Sequence, residues 1–266
     1  EMTCLKDQGV ATTADFAGKT LGVWFFGNEY PFYAWMNKLG IPTEGGADGV
    51  NVLKQSFDVQ PLVQKQADCI SVMTYNELGQ AIDAGFTTDK LVIFNYTDLG
   101  NDLLEDGLYA MEDKLADPAF ADKMVRFVRA AQKGWQYAID NPDEAAQIVI
   151  DNDESGAQTL DHQKYMMGEV AKLVDAKDFK LSAAAYDRTE KALLDQKIIS
   201  KPAEGGYTTA ITDKAGAVCA ANWGKRGSGC DKCPLHSACA VLIPAGQDAL
   251  NAWQQSVNAA AAKVAA

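Results

Sequence analysis

Apolar positions along this chain fall into short continuous runs in its first half and into helix-spaced sets in its second. Leu21-Gly22-Val23-Trp24-Phe25-Phe26 follows Gly18-Lys19-Thr20 as an unbroken apolar run, the pattern of a strand buried on both faces. Gly27-Asn28 ends it, and Phe32, Trp35, Met36 and Leu39 then mark one face of a helix that Gly40 stops. Val50 to Leu53 predict a second strand, Val59 to Gln66 a short helix, and Cys69-Ile70-Ser71-Val72-Met73 a third strand. Tyr75 to Ala84 read as a helix stopped by Gly85, and Leu91 to Tyr96 as a fourth strand. Strands alternating with helices across short connections predict an α/β fold with a parallel sheet covered on both faces.

Beyond residue 110 the pattern turns helical. Met124, Phe127, Val128, Ala131, Trp135 and Ala138 recur at helical spacing. Asn141-Pro142-Asp143-Glu144 reads as a restart, with Asn able to cap orphan amides and Pro tolerated in a first turn. Met166, Val170 and Leu173 mark a further amphipathic helix, and glycines at 205, 206, 216 and 224 to 229 loosen the chain. A last helix is expected from Gln247, with Leu250, Trp253, Val257 and Val264 on one face. No internal repeat is visible. The expected division is an α/β ligand-binding lobe over 1–110, a helical part over 111–214 and a Cys-rich tail with a terminal helix over 215–266.

Charge narrows the partners. Among 266 residues, 36 acids outnumber 24 bases and leave a net charge of −12, which argues against nucleic acid, whose phosphates need clustered Lys and Arg. The plain meaning of this acidity is solubility. No apolar run approaches the roughly 18 residues of a membrane helix. Glu1-Met2-Thr3-Cys4 has neither the basic nor the apolar region of a signal peptide, so a leader is expected to have been removed or the chain to start inside a larger protein.

Open α/β sheets hold ligands beyond the carboxyl ends of their strands, which singles out two loops. In Phe26-Gly27-Asn28-Glu29-Tyr30, glycine permits close backbone approach and the following helix amides can receive an anion or a carbonyl. In Thr74-Tyr75-Asn76-Glu77, Tyr can stack on a planar ring, Asn both donates and accepts, and Glu can bind an amine or a protonated ring nitrogen. The plainer alternative is that Asn28 and Asn76 cap helices while Tyr30 and Tyr75 pack at their starts. Trp24, Trp35 and Trp135 are expected in the core, Asp98-Leu99-Gly100 in a turn, and His162 on a solvated surface. Neither Gly-x-Ser-x-Gly, nor a P-loop, nor His-Glu-x-x-His is present.

Longer segments carry a resemblance. They are Asp15-Phe16-Ala17-Gly18-Lys19-Thr20-Leu21-Gly22-Val23-Trp24, Gly27-Asn28-Glu29-Tyr30-Pro31-Phe32, and Ala67-Asp68-Cys69-Ile70-Ser71-Val72-Met73-Thr74-Tyr75-Asn76-Glu77. Gly134-Trp135-Gln136-Tyr137-Ala138 and Asn141-Pro142-Asp143-Glu144-Ala145-Ala146 extend them. Together these resemble the thiamine-pyrimidine-synthase-like branch of ABC solute-binding proteins, which includes nitrate-, sulfonate- and taurine-binding relatives, over about residues 3 to 214. The resemblance implies a periplasmic-binding-protein-like (type II) lobe followed by a helical C-terminal part. It also implies a small-molecule solute such as a thiamine-precursor pyrimidine, hinge closure of a flytrap cleft, and an ABC permease as membrane partner. The ligand contacts it implies are Gly27, Asn28, Glu29, Tyr30, Tyr75, Asn76 and Glu77, and it places the chain in the periplasm. In that family a first lobe precedes the segment that here begins at Thr3, so self-association through the uncovered surface is also expected. The yeast-type pyrimidine synthases of this fold use histidine and a cysteine-rich motif that residues 1 to 214 do not reproduce, so such an enzyme is the alternative rather than the expectation, and neither a catalytic residue nor, outside the tail, a cofactor is expected.

Four of the six cysteines crowd the tail as Cys219-x10-Cys230-x2-Cys233-x5-Cys239. The closing piece, Cys230 to Cys239, resembles the iron–sulfur loop of DNA glycosylases related to endonuclease III, without the helix–hairpin–helix that accompanies it. Four thiolates around a Cys-x-x-Cys can hold zinc or a [4Fe–4S] cluster, with His236 as an alternative ligand. An oxidising periplasm favours two disulfides instead.

Overall fold

The computed structural model describes residues 1–176 and 178–222. The chain divides into two compact units, Glu1–Asp213 and Lys214–Ala266. In the first unit, a five-stranded sheet is built from β1 (Met2–Leu5), β2 (Thr20–Val23), β3 (Asn51–Lys54), β4 (Cys69–Ser71) and β5 (Leu91–Phe94), in the order β3-β2-β4-β1-β5. β2 pairs in parallel with β3 and with β4, whereas β1 pairs antiparallel with both β4 and β5. The sheet is therefore mixed, with four strands running one way and β1 against them. That corrects the all-parallel expectation, which had no place for β1. At four residues, Met-Thr-Cys-Leu is too short to show a period, and all four are buried.

Side chains alternate between two apolar layers because successive residues of a strand face opposite sides of the sheet. Cys4, Leu21, Val23 and Cys69 join Phe16, Phe32, Trp35 and Met36 in one layer. Leu5, Ile70, Val72 and Leu91 join Leu62, Leu78 and Ala81 in the other. The first layer is covered by α1 (Tyr30–Leu39), the second by α2 (Gln60–Val63) and α3 (Glu77–Asp83). Phe16, Trp35 and Phe94 meet edge-on or tilted at 5.2 to 5.4 Å between ring centres, an arrangement suited to aromatic quadrupoles. Trp35 and Trp24 are core residues, as expected, but Trp135 is 37% exposed and lies outside the core.

The helical remainder comprises α4 (Glu112–Leu115), α5 (Pro118–Asp140), α6 (Pro142–Asp151), α7 (Leu160–Leu173), α8 (Ala183–Asp195) and α9 (Ala210–Asn222). Asp117 caps α5, its carboxylate accepting from the Ala119 amide. Asn141 does not cap α6 through its side chain; its Nδ2 donates back to the Tyr137 carbonyl at 2.9 Å and closes α5 instead. No helix-spaced set of residues singled out α8 or α9 within the part expected to be helical, and Gly216 lies inside α9 rather than in a loose segment. Among the described residues, no helix is long and apolar enough to cross a membrane. The helix expected from Gln247 lies outside the described residues.

The two cysteines of the first part form a disulfide, Cys4–Cys69, between residues directly opposite each other on β1 and β4. Both are fully buried. Burial of Cys69 was expected from its strand; its bond to Cys4 was not, because the strand that carries Cys4 was missed.

Candidate functional site

Because β1 runs against its neighbours, its first residue lies at the edge where β2, β4 and β5 end. Glu1 thus joins the loops that follow three parallel-running strands. A buried polar layer supports this edge. The Gln55 side chain, 6% exposed, grips the backbone of Ser71 twice, Nε2 donating to its carbonyl at 2.8 Å and Oε1 accepting from its amide at 2.9 Å. The Ser71 hydroxyl donates to the Gly22 carbonyl at 3.1 Å, so the ends of β2, β3 and β4 are locked together. Gly22 makes room for this: a Cβ there would stand 2.9 Å from Gln55 Oε1 and 3.2 Å from Ile70 Cγ2.

The loop after β2 turns sharply. Phe26 holds φ at 66°, in the left-handed region that side chains avoid, and Gly27 follows at 108°. The Gly27 amide donates to Glu29 Oε2 at 2.7 Å, and Asn28 Nδ2 to the Phe25 carbonyl at 3.4 Å. Neither side chain caps α1, so Asn28 is not the helix cap that its position suggested. The strained backbone presents Phe26 at 88% exposure, with Lys54 Nζ 4.8 Å from its ring centre. Phe57, beyond β3, is also exposed and stacks on Trp24 at 5.7 Å. Strain and exposed aromatic surface on one loop are commonly features of a ligand site. Periodicity hid Phe26 by extending the strand through it, whereas the ladder stops at Val23.

The loop after β4 is tied by its own side chains. Glu77, 3% exposed, accepts from the Met73 amide at 3.0 Å and from Asn76 Nδ2 at 2.7 Å. Asn76 stands before α3 without capping it through its side chain. Tyr75 is half-buried between them, and burial pushes its hydroxyl pKa up, with Glu105, Glu77 and Asp106 adding to the effect. Burial also raises the carboxyl pKa of Glu1; that of Glu105 is raised in the same direction by partial desolvation and by Asp106, although the residue is exposed. Asn95 Nδ2 donates to Glu1 Oε2 at 3.3 Å, while Glu1 Oε1 and the Tyr96 hydroxyl are buried without a hydrogen-bond partner among the described residues. Tyr96 leans on Trp35 at 5.6 Å and feels the charges of Glu105 and Glu1.

Tyr75, Asn76 and Glu77 are thus gathered with Glu1, Asn95, Tyr96 and Glu105, which sequence reasoning did not select. Gly27, Asn28, Glu29 and Tyr30 stand on the loop from the adjacent strand. His162, expected on a solvated surface, is a correction. Its ring is 11% exposed and is bonded to Asp83 at 3.0 Å and to Asn76 Oδ1 at 3.1 Å, because α7 packs closely on α3. A separate open cavity of about 480 Å³ lies between the ends of α1 and α8, lined by Tyr33, Asn37, Glu44 and Lys197 among others. It touches none of the strand ends.

Among the described residues, no group of three His, Cys, Asp or Glu is placed to hold a metal. Cys230, Cys233, Cys239 and His236 lie outside those residues, and Cys219 is described only as backbone of α9. A family model described as NMT1/THI5 like matches residues 1–145, more than half of the chain. No curated protein matches it.

Proposed function

The chain belongs to the NMT1/THI5-like family, mainly solute-binding proteins of ABC import alongside a branch that makes the thiamine pyrimidine, and from that premise we propose that it binds a small nitrogen-rich heterocycle resembling that pyrimidine. One observation carries this reading: the strand-end site is acidic and tyrosine-lined. Glu1, Glu77 and Glu105 surround Tyr75 and Tyr96, and the loops 24–30, 72–77 and 95–101 contain no Lys, Arg or His. Such a site suits a planar ring with amino or protonatable ring nitrogens more than nitrate or a sulfonate; basic side chains beside these loops include Lys54, over the Phe26 ring, and His162, on Asn76. Tyr75 and Phe26 offer flat faces, while Glu77 and Asn76, engaged with the Met73 amide, Gln80 and His162, hold the loop that presents Tyr75. On this reading the protein hands its solute to an ABC permease.

A periplasmic location accords with the buried Cys4–Cys69 disulfide, since such bonds persist in oxidising compartments. The four tail cysteines, Cys219, Cys230, Cys233 and Cys239, are assigned on the same ground to two disulfides, with zinc or an iron–sulfur cluster as the alternative.

Calorimetry with 4-amino-2-methylpyrimidines, aliphatic amines, taurine and nitrate tests the solute class. Heat with the aminopyrimidines and none with the anions is expected. Tyr75→Ala and Glu77→Ala should each weaken that binding by roughly 1–3 kcal/mol. No heat with any member of the panel, on a folded sample, overturns the reading.

A second reading rests on a different observation. Segment 101–111 forms neither helix nor strand, and Leu108, Tyr109 and Met111 are 62%, 85% and 72% exposed. Contiguous apolar exposure of this kind marks an interaction surface. If a second copy covers it, sedimentation will find dimers or larger species, and a monomer at all concentrations removes this reading.

A further inference from the structure

His162 sits in the first turn of α7, where the Thr159 hydroxyl accepts from its backbone amide at 3.3 Å. Its ring bridges two parts of the opposite element. Nδ1 lies 3.0 Å from the carboxylate of Asp83, at the end of α3, and Nε2 lies 3.1 Å from Asn76 Oδ1, before its start. One turn along α7, Tyr165 stacks near the imidazole at 6.1 Å and donates its hydroxyl to the Thr74 carbonyl at 2.6 Å. Gly79 permits the approach: a Cβ there would stand 2.4 Å from Tyr165 Cε1 and 3.2 Å from His162 Cε1. Thus α7 reaches the loop 73–77 through two side chains, both pressed against a glycine of α3.

The orientation of Asn76 decides the protonation state of the ring. Its Nδ2 donates to Glu77 Oε1 at 2.7 Å, and its Oδ1 accepts from Gln80 at 3.3 Å, so the oxygen is the atom turned toward His162. Turning the amide over would set its oxygen against the Glu77 carboxylate. Nε2 must therefore carry a proton, and Nδ1, facing Asp83, must carry one as well. Only the imidazolium satisfies both contacts; a neutral ring, in either tautomer, turns a lone pair onto an oxygen. The charged neighbours are Asp83 and, through Asn76, Glu77 of α3, with Tyr165 on α7. Lys164, next in line on α7, is drawn away to Asp143 of α6 at 3.0 Å.

We propose that His162 is a positioning residue that couples pH to the solute loop: as an imidazolium clamped between Asp83 and Asn76, it holds Asn76 and Glu77 in register for binding. This rests on the solute-binding reading for its consequence, but not for its mechanism. The sign follows from the contacts. The clamp is complete while the ring is doubly protonated and loses one anchor as rising pH removes a proton. Solute affinity is then higher while the ring is doubly protonated than after it has lost a proton.

The chain has two histidines, which makes imidazole nitrogen spectra easy to assign with a single variant. The experiment follows the ring nitrogens of His162, the Met73 backbone amide and the Asn76 side-chain amide by NMR from about pH 5 to 8, in the wild type, His162→Gln and Asp83→Asn. The expected result is a doubly protonated ring at the acidic end, with both amides shifting at the same midpoint as the ring. In His162→Gln that midpoint disappears from the amides. Asp83→Asn, which keeps the imidazole but lets it rest neutral, should move the midpoint down; it also serves should His162→Gln fail to fold. A ring that is neutral at the acidic end, or one that titrates while both amides stay still, overturns the proposal. Calorimetry with a 4-amino-2-methylpyrimidine reads the consequence, compared with His162→Gln at each pH so that protonation of the probe cancels. The wild type should lose roughly tenfold more affinity across the range than the variant. If the probe does not bind at all, the solute reading fails while the spectra still decide the role of His162.

Discussion

Cys4 and Cys69 are direct partners across the antiparallel pair of β1 and β4, joined by a disulfide that closes a loop of 65 residues in sequence. The bond ties the reversed strand to the centre of the sheet. Loop closure of this length restricts the unfolded chain by roughly 4 kcal/mol. Cys4→Ala with Cys69→Ala should lower the urea unfolding free energy by about that amount, with a further contribution from the buried space left behind. Little change between the double variant and the wild type under oxidising conditions would show that the bond is not formed in solution.

A methyl group at position 22 tests the layer beneath the loops. Gly22→Ala would push against Gln55 Oε1 and Ile70, and release of the Gln55 grip would free the Ser71 backbone. A destabilisation of about 1–3 kcal/mol is expected by thermal or chemical unfolding. Unchanged stability would mean that Gln55 moves aside at no cost.

Alkaline pH should loosen the contact between α7 and the loop 73–77. Burial, with help from Glu169 and other carboxylates, pushes the Tyr165 hydroxyl up to about 12, while an unfolded tyrosine ionises near 10. Between those values the unfolded state binds fewer protons, so the stability this hydroxyl contributes is complete below about pH 10 and is lost as the pH rises toward 12. Phenolate absorbance should show a late-titrating tyrosine that Tyr165→Phe removes. That variant should also flatten the alkaline limb of the stability profile.

For the tail, thiol titration of the denatured, non-reduced protein should find none of Cys219, Cys230, Cys233 and Cys239 free. Stoichiometric zinc, or a brown chromophore, retained through purification would assign the four to a metal instead. Full reaction of Cys230 and Cys233 in the native state would defeat both assignments.

The parallel-running part of the sheet was legible because its strands are written as short, mostly apolar runs, and the runs at 21–26, 50–53, 69–73 and 91–96 each overlap a strand. β1 was not, since four residues carry no period and its partners lie 65 to 92 positions away. The two loops were legible from topology alone, as the segments that follow strands. What they meet was not: Glu1 reaches them through the reversal of β1, and Glu105 from an irregular stretch. His162 looked like a surface residue because its helix is polar. Its burial depends on Gly79, and a missing side chain on one helix leaves no mark in the pattern of another.

The reversal of β1 also sets an order of assembly. β2, β3 and β4 are linked by crossovers within residues 20–71, so their pairing closes short loops. β5 has no neighbour in the sheet except β1, whose register sets Met2 opposite Phe94. Contacts so distant in sequence are slow to form, because chain entropy must be surrendered before they return any stabilisation. β1 therefore finds its first partner only once β4 exists, beyond residue 69, and its second with β5, entering as the seam that joins the two sides of the sheet. Since Glu1 arrives with that seam, the acidic cluster at the strand ends is completed only after the parallel strands have paired.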